Sequence, residues 1–381
     1  MGKIWANSGD SHFVEPDDLF ATHLPAGLAA RMPRSVRDAD GLWETVHVDG
    51  QQYRRRIPKP ESGAMTDAEF ADPHRRVPGA ENIPLRLEDL DLEGIWSELT
   101  YPSMGAWAFC IRDPELALAG SMAMNDWALE MQQKSPRLVC AAALPLLAID
   151  DAIREAMRAR TMGLAAVSLP VRPGPADGHF HSYADPCLDP LWDVLDDLGL
   201  VIAFHVGTEP HTPETRTGIR DTGRGGAVLN YAETSFGGQR AACQLAASGV
   251  LDARPNLRVI VSEGGAGWVP FMADRLDEGY RQHSAAVSPK LSRLPGEILY
   301  EQVYATFQHD RRSSTTTATA QGYRNALFGS DYPHWEGTFG HTQRTLHELC
   351  DDLAPEVSHR LRIGAFAELF PHVPTPPADE P

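Results

Sequence analysis

The sequence is poor in positive charge. Its 34 lysines and arginines face 52 aspartates and glutamates, which gives a formal net charge of −18 over 381 residues. Such a charge repels phosphate backbones and anionic lipids, so we expect no nucleic-acid partner. The chain also lacks an apolar run of the roughly 18 residues that a membrane span needs, and its first residues do not resemble a signal peptide. We therefore expect a cytoplasmic protein that does not bind membranes.

Cysteine is scarce as well. The five cysteines are far apart and form no C-x-x-C pair: Cys110, Cys140, Cys187, Cys243 and Cys350. This spacing argues against a disulfide framework and against a cysteine-ligated zinc site, so we predict free thiols. Hydrophobic residues, in contrast, make up 42% of the chain, enough for a large core.

Short apolar runs alternate with longer amphipathic stretches along the chain. The runs look like buried parallel strands, and stretches such as 113–133, 148–160 and 190–200 look like the helices between them. Eight strands predict an α/β protein with a (β/α)8 TIM barrel. The predicted strands are 4–12, 94–102, 138–146, 163–171, 200–207, 257–265, 303–307 and 325–333.

Two stretches interrupt this alternation. Residues 30–88 contain an Asp-Gly pair between alternating segments, which predicts an inserted hairpin or lid. Residues 208–226 are polar and rich in glycine, and they follow a strand end, where barrel loops build active sites. We expect one barrel domain over 1–374 with these two insertions, followed by a tail at 375–381.

Candidate metal ligands lie where the predicted strands end. His205, Glu263 and Asp331 each end a strand, and His334 follows three residues later. In the first strand, Asp10 and His12 are two residues apart, so their side chains point to the same side. Because the carboxyl ends of barrel strands share one mouth, these six residues are expected to meet there.

Each residue has an ordinary alternative role. His205 alone fits a hydrogen-bonded core histidine, and the segment around Asp331 fits a turn. The joint pattern is harder to explain without a cation, because burying several unpaired carboxylates is costly. Three imidazoles and three carboxylates suit iron, manganese or zinc better than magnesium or calcium. We therefore predict a metal site.

Four ordered motifs resemble the amidohydrolase-related group that includes aminocarboxymuconate semialdehyde decarboxylase and hydroxybenzoate decarboxylases. They are "GDSHFVEP", "AFHVG", "VSEGGAGWVP" and "LFGSDYPHWEG". The resemblance covers most of the chain outside the insertions. It implies a metal-dependent (β/α)8 barrel whose ligands are Asp10, His12, His205 and Asp331.

The chain departs from this pattern at two positions. Asp10 stands where His or Glu is common, and Glu263 stands where the decarboxylases carry a histidine linked to the chemistry. The strand at 163–171 also lacks the lysine whose carbamate bridges two metals in dinuclear amidohydrolases, so a bridge would come from Glu263 or Glu98. Carboxylate ligands favour two iron ions and oxygen activation.

These departures resemble a branch that contains a nonheme diiron monooxygenase of diterpenoid antibiotic biosynthesis. The resemblance implies O2-dependent hydroxylation of a bulky apolar acid, either free or as a coenzyme A thioester. Basic clusters for such a carrier would be Arg54, Arg55 and Arg56, or Arg216, Arg220 and Arg224. Aromatic side chains near strand ends would line an apolar pocket: Trp107, Phe109, Trp268, Phe271 and Trp335.

Three hypotheses follow. The first is a diiron monooxygenase in which all six residues hold the metals, with Glu263 and His334 also in catalytic roles. The alternative is a decarboxylase or hydrolase with one zinc or manganese ion, in which Glu263 or His334 handles protons. The third is a metal-free binding protein on the same barrel. The sequence leaves open a homo-oligomer, and it leaves open whether Glu15, Glu98, His309 or Glu336 reaches the metal.

Overall fold

Eight parallel strands form the centre of the protein, as a computed structural model shows. The structure describes residues 2–39, 41–56, 77–173, 182–208, 221, 223–334 and 336–380. The eight strands are β1 (Ala6–Phe13), β5 (Ile95–Pro102), β6 (Leu138–Ala143), β7 (Ala166–Leu169), β8 (Val201–His205), β9 (Val259–Ser262), β10 (Val303–Phe307) and β11 (Ala326–Phe328). Each coincides with a predicted strand, although most are shorter.

The strands follow one another around the sheet in chain order, from β1 to β11. The ring closes between β11 and β1, where the Asp331 N–H donates to the Asp10 carbonyl at 2.8 Å. A second backbone hydrogen bond there joins His12 N–H to the Tyr332 carbonyl at 2.6 Å. The predicted (β/α)8 barrel is therefore confirmed, and its closing seam coincides with candidate ligand residues.

Helices surround the barrel and connect its strands. They are α1 (Leu19–His23), α2 (Ala26–Ala29), α3 (Ile83–Glu93), α4 (Pro114–Gln132), α5 (Ile149–Met162), α6 (Asp189–Leu198), α7 (Gly226–Thr234), α8 (Phe236–Ala247), α9 (Val250–Ala253), α10 (Trp268–Gln282), α11 (Pro295–Gln302), α12 (Arg311–Ala320), α13 (Thr342–Cys350), α14 (Pro355–His359) and α15 (Ala365–Leu369). Local sequence sets several ends: the Asn82 side chain caps α3, the Asp113 side chain caps α4, and left-handed Gly94 ends α3.

Alternation along each strand separates the barrel interior from the layer of helices. Tyr101, Ile260, Tyr304 and Leu327 belong to the packed interior, whereas their chain neighbours pack against the helices. The interior below the mouth is therefore a filled core, and the candidate ligands lie above it, at the carboxyl ends of the strands.

A three-stranded antiparallel sheet forms the first insertion. Its strands are β2 (Arg34–Arg37), β3 (Trp43–Val48) and β4 (Gln51–Arg56). Asp49 and Gly50 join the last two strands with φ angles of 47° and 73°, the positive values of a type I′ hairpin turn. The predicted Asp-Gly hairpin is present, and residues 57–76 of this insertion lie outside the described residues.

Most of the second predicted insertion, 209–220 and 222, also lies outside the described residues, and the chain resumes regular structure at α7. The C-terminal segment is anchored, because the Asp379 carboxylate accepts the Trp5 N–H and pairs with Arg362. All five cysteines are free thiols, as predicted. Among the described helices, none combines the length and apolar character needed to span a bilayer.

Candidate metal centre

Strand alternation brings three candidate ligands into the barrel mouth. Asp10 and His12 share one face of β1, and His205 continues the inward row of Val201 and Ala203 on β8. All three side chains are buried at the carboxyl end of the barrel. Their positions follow directly from the period of two that a strand imposes.

A different mechanism positions Glu263 and Asp331. Their φ angles are 57° and 55°, a left-handed conformation that is uncommon for residues with a side chain. On β9 it is Ser262 that points inward, where its hydroxyl lies 2.7 Å from the Tyr101 hydroxyl. The left-handed turn at Glu263 brings a second consecutive side chain toward the mouth, and a hydrogen bond of 2.8 Å from its N–H to Thr306 Oγ1 holds this turn.

The six side chains converge. His12 Nε2 lies 3.0 Å from His205 Nε2, and His205 Nε2 lies 3.0 Å from Asp10 Oδ1. His12 Nε2 is also 3.4 Å from Asp331 Oδ1, and His205 Nε2 is 3.8 Å from Glu263 Oε2. His334 completes the group, with Nδ1 2.8 Å from Asp331 Oδ1 and its ring stacked on His12 at 4.0 Å. We call these six residues the mouth cluster.

Within the mouth cluster, three overlapping triads each bring one donor atom per residue within 4.8 Å of one another. The triads are Asp10–His12–His205, His12–Asp331–His334 and Asp10–Glu263–Asp331. Every predicted ligand therefore takes part in at least one arrangement with the spacing of a coordination shell.

The mouth cluster fits a metal cation. Asp10 Oδ2 and Asp331 Oδ2 are buried and have no hydrogen-bond partner in the described part of the chain. His205 Nδ1 lies 2.8 Å from the Val206 carbonyl, so it donates there and leaves Nε2 as a lone-pair donor. Unpaired buried carboxylate oxygens are costly, and a divalent cation would compensate them. The mixed nitrogen and oxygen donors suit manganese, iron or zinc.

Burial divides the mouth cluster into two parts. The side chains of Asp10, His12, His205 and Asp331 are at most 7% exposed. Glu263 is 15% exposed and His334 is 35% exposed. We call the four buried residues the buried floor of the mouth cluster, whereas the other two, Glu263 and His334, face the open mouth.

The surroundings shift the protonation of the cluster in the absence of a cation. Burial raises the pKa of Asp331 to about 6, although the adjacent His334 ring opposes this shift. Burial and then the Asp331 carboxylate raise the pKa of Glu263 well above its ordinary value. For His205, burial lowers the pKa, but the Asp10 carboxylate outweighs it and the pKa rises to about 10. Without a cation, protons therefore occupy atoms that a metal would use.

Metal binding should consequently depend on pH. Because the pKa of Asp331 is raised in the folded, metal-free protein, protonation of Asp331 favours the folded state, fully so at pH values below the ordinary carboxyl pKa. This contribution to stability is lost as the pH rises through about 6. A bound cation stabilises the ionised form and must displace protons. We expect the increase in melting temperature caused by Mn²⁺ to be larger at pH 7.5 than at pH 5, as measured by calorimetry with a chelated sample as the control. An increase that does not change with pH would contradict this expectation.

Gly329 gives Asp10 the space it occupies. A Cβ at Gly329 would lie 2.8 Å from Asp10 Cβ and 3.3 Å from Thr306 Cβ, so Gly329→Ala should displace Asp10. We expect Mn²⁺ affinity to fall at least about tenfold, the range found when groups that orient a ligand are lost. Gly279→Ala on α10, where nothing lies within 4 Å of the new Cβ, is the matched control. Equal Mn²⁺ affinity in both variants, measured by titration calorimetry, would show that Gly329 has no such role.

Two further acidic candidates lie outside the mouth cluster. Glu15 accepts hydrogen bonds from the N–H groups of Met104 and Gly105 at 3.0 and 2.7 Å, so it holds the backbone after β5. Glu98 was expected as a possible bridging ligand, but it forms a fully buried ion pair with Arg86. Its neighbour Leu99 points into the barrel, so Glu98 faces the helices, and the bridging role is wrong for the described geometry.

The remaining candidates also lie outside the cluster. His309 is stacked on His341, with ring centroids 5.5 Å apart, and Glu336 is exposed. In the first basic cluster expected to bind a coenzyme A carrier, Arg54 pairs with Asp38, and the side chains of Arg55 and Arg56 lie outside the described residues. In the second cluster, Arg224 is exposed, and Arg216 and Arg220 lie outside the described residues. Of the five aromatic residues expected to line a pocket, Trp107 is buried against Tyr53, and Trp268 donates a hydrogen bond to the Gly265 carbonyl. Phe109 is half-buried and Phe271 is exposed, and Trp335 lies outside the described residues.

Arg86 is a functional candidate that sequence reasoning missed. Its guanidinium donates to the His12 carbonyl at 2.9 Å and to Glu98 Oε2 at 3.0 Å. It also lies over the rings of Phe13 and Tyr332, which follow His12 and Asp331 in the chain. Arg86 thus supports both strands of the closing seam. A basic residue within an otherwise amphipathic helix gives no signal of this role in the sequence.

Comparisons with known proteins agree with this architecture. The 2-amino-3-carboxymuconate-6-semialdehyde decarboxylase of Dictyostelium discoideum is 24% identical over 289 residues, which is 75% of this chain and 70% of that protein. The structure of an amidohydrolase from Mycobacterium avium subsp. paratuberculosis superposes with a TM-score of 0.74 at 19% identity, covering 96% of this chain and 97% of the other.

A third relative contains a metal. A dihydroxybenzoic acid decarboxylase from Polaromonas sp., crystallised with manganese and the inhibitor 2-nitroresorcinol, superposes with a TM-score of 0.63 at 19% identity. The match covers 98% of each chain. The sequence model of the amidohydrolase family matches residues 97–369, well over half of the chain. The chain therefore belongs to the amidohydrolase family.

Proposed function

We propose that this protein is a metal-dependent nonoxidative decarboxylase that acts on a small carboxylic acid. The observation that carries the proposal is the division of the mouth cluster into a buried floor and two more exposed groups. In this assignment Asp10, His12, His205 and Asp331 hold one manganese or zinc ion. The bound ion would act as a Lewis acid on a substrate oxygen.

Glu263 and His334 are the groups left to handle protons. Decarboxylation of an unsaturated acid places a proton on the carbon that loses its carboxylate, then breaks the C–C bond, whose electron pair returns to the unsaturated system as CO2 leaves. Glu263 reaches the mouth, where its Oε2 lies 3.8 Å from His205 Nε2, so its carboxyl group is placed to donate this proton. His334 hydrogen-bonds to Asp331, so it orients that ligand and faces the substrate side.

The relatives support this reading over the expected monooxygenase. The named relatives include decarboxylases of a muconate semialdehyde and of a dihydroxybenzoate, and none of those named is an oxygenase. The first expectation, an O2-dependent diiron enzyme that acts on a bulky apolar acid or its coenzyme A thioester, has no support among them. Its metal-dependent alternative is the better-supported function.

A second candidate keeps one specific observation in its favour. Three carboxylates and three imidazoles supply enough donors for two ions, and the three triads share residues in the way that a dinuclear site requires. In this candidate Glu263 is a ligand rather than a proton donor. The six-residue set would then hold two iron ions, and turnover would need O2.

The two candidates are separated by one experiment. Manganese-loaded and zinc-loaded protein is incubated, without oxygen, with a panel of dihydroxybenzoates and carboxymuconate-type acids, and CO2 release is measured. The proposal predicts CO2 release that does not require oxygen and that is lost in Glu263→Gln. No CO2 from any acid, together with O2 uptake by iron-loaded protein, would overturn it in favour of the diiron oxygenase.

A further inference from the structure

Gln308 is a buried glutamine whose side-chain Nε2 has no hydrogen-bond partner among the described residues. Gln308 directly follows β10, and the neighbouring strands β9 and β11 lead to Glu263 and Asp331. On β10, Tyr304 points into the barrel interior, while Phe307 packs against the helices. Gln308 continues the inward row, which explains why it is buried although it lies past the strand end.

The amide of Gln308 makes no hydrogen bond within the described part of the chain. Its side-chain Nε2 is buried and unpartnered, and the residue is 7% exposed. A buried donor without an acceptor costs about 1–3 kcal/mol, so such groups in folded proteins call for an explanation. Ser103, which directly follows β5, carries another buried atom without a partner among the described residues, its hydroxyl oxygen.

These two groups flank the closing seam. In the order of the barrel, β10 and β5 lie on either side of the pair β11 and β1, which leads to Asp331 and carries Asp10 and His12. Each strand of the seam thus has one of these unpartnered groups at the end of the strand beside it: Gln308 follows β10, next to β11, and Ser103 follows β5, next to β1.

We propose that Gln308 donates a hydrogen bond to a substrate oxygen that does not belong to the reacting carboxylate, with Ser103 as a second contact. This inference rests on the proposed decarboxylase function. A hydrogen bond to the departing carboxylate would stabilise the ground state more than the transition state, because that charge is lost as CO2 forms. The substrate is therefore an acid with a second oxygen function, such as a hydroxyl or carbonyl group.

A neutral amide suits this position. The mouth already carries the carboxylates of Asp10, Glu263 and Asp331. An uncharged donor binds a substrate oxygen without forming an ion pair with the metal ligands. Selectivity between substrates then comes from the Gln308 amide, because a substrate without a hydrogen-bond acceptor at this position leaves the buried amide unpaired.

Binding to the manganese-loaded protein tests this inference by calorimetry with two probes, 2,6-dihydroxybenzoate and benzoate, which lacks the hydroxyl groups. Wild type is expected to bind the dihydroxy acid more tightly, and Gln308→Leu is expected to lower that affinity about 5- to 100-fold while leaving benzoate unchanged. Unaltered affinity of Gln308→Leu for the dihydroxy acid would overturn the inference while the proposed function stands. If wild type bound neither acid, the substrate class assigned to Gln308 would be overturned, whereas the proposed function is decided separately by CO2 release from the panel of acids.

Stability gives a readout that does not depend on any substrate. Gln302→Leu is the matched control, since Gln302 is buried and its Nε2 donates to the Arg254 and Leu257 carbonyls at 2.9 and 3.0 Å. We expect Gln302→Leu to lower the melting temperature and Gln308→Leu to leave it unchanged or raise it, with manganese content equal to wild type. A loss of stability in Gln308→Leu as large as in the control would show that the amide has a structural partner, and would overturn the inference.

Discussion

His205→Ala is expected to lose the bound metal and about a thousandfold or more in kcat/KM. The ring lies within 3.0 Å of both His12 Nε2 and Asp10 Oδ1, and its Nδ1 is fixed by the Val206 carbonyl. Lewis-acid stabilisation by a bound metal contributes several kcal/mol to a transition state, and each 1.36 kcal/mol is a factor of ten in rate. Metal content by elemental analysis and CO2 release by the same sample measure the two losses together.

His341→Ala is the matched control for this prediction. His341 stacks on His309, which follows β10, and belongs to none of the three triads. We expect this variant to keep its metal and most of its activity. If His205→Ala retained wild-type metal content, the mouth cluster would not be the metal site.

Arg86→Met is expected to destabilise the protein by about 3–5 kcal/mol, the usual cost of removing one partner from a buried ion pair. The guanidinium is fully buried and pairs with the equally buried Glu98. The variant would leave that carboxylate uncompensated and the His12 carbonyl without its 2.9 Å donor. Equilibrium denaturation in urea, with the metal removed, measures the change in the free energy of unfolding.

The double variant Arg86→Met/Glu98→Gln serves to separate charge from packing. Removing the Glu98 charge should restore part of the lost stability, because an unpaired buried charge is the largest cost. Metal affinity should be lower than in wild type in both the single and the double variant, since both lack the contacts of Arg86 with His12 and Tyr332. A single variant as stable as wild type would contradict the role given to this ion pair.

Strand periodicity explains how much of the site could be predicted. Asp10, His12 and His205 lie where a period of two places inward side chains, and inspection of the sequence finds them. Glu263 was predicted correctly as a strand-end residue, but alternation alone would point Ser262 inward and Glu263 away. The left-handed backbone at Glu263 and Asp331 is set by hydrogen bonds to Thr306 and Asp10 from other strands, so no local pattern encodes it.

Other features depend on contacts between distant segments. The pairing of Glu98 with Arg86 arises because α3 packs against β5, and the sequence shows neither the contact nor its burial. Gln308 was missed because β10 was taken to end at Phe307, although continuing its alternation by one residue would have found it. The eight-strand barrel was predictable because its signal, alternating apolar runs and helices, is repeated along the chain.

Elemental analysis of metal per chain tests the central claim most directly. Protein purified from growth medium supplemented with manganese, zinc and iron is compared with the His205→Ala variant purified in the same way. The mouth cluster predicts about one manganese or zinc ion per wild-type chain and almost none in the variant, in line with a four-residue ligand floor. Wild-type protein that is metal-free yet releases CO2 at full rate would contradict the claim that this mouth is a metal centre.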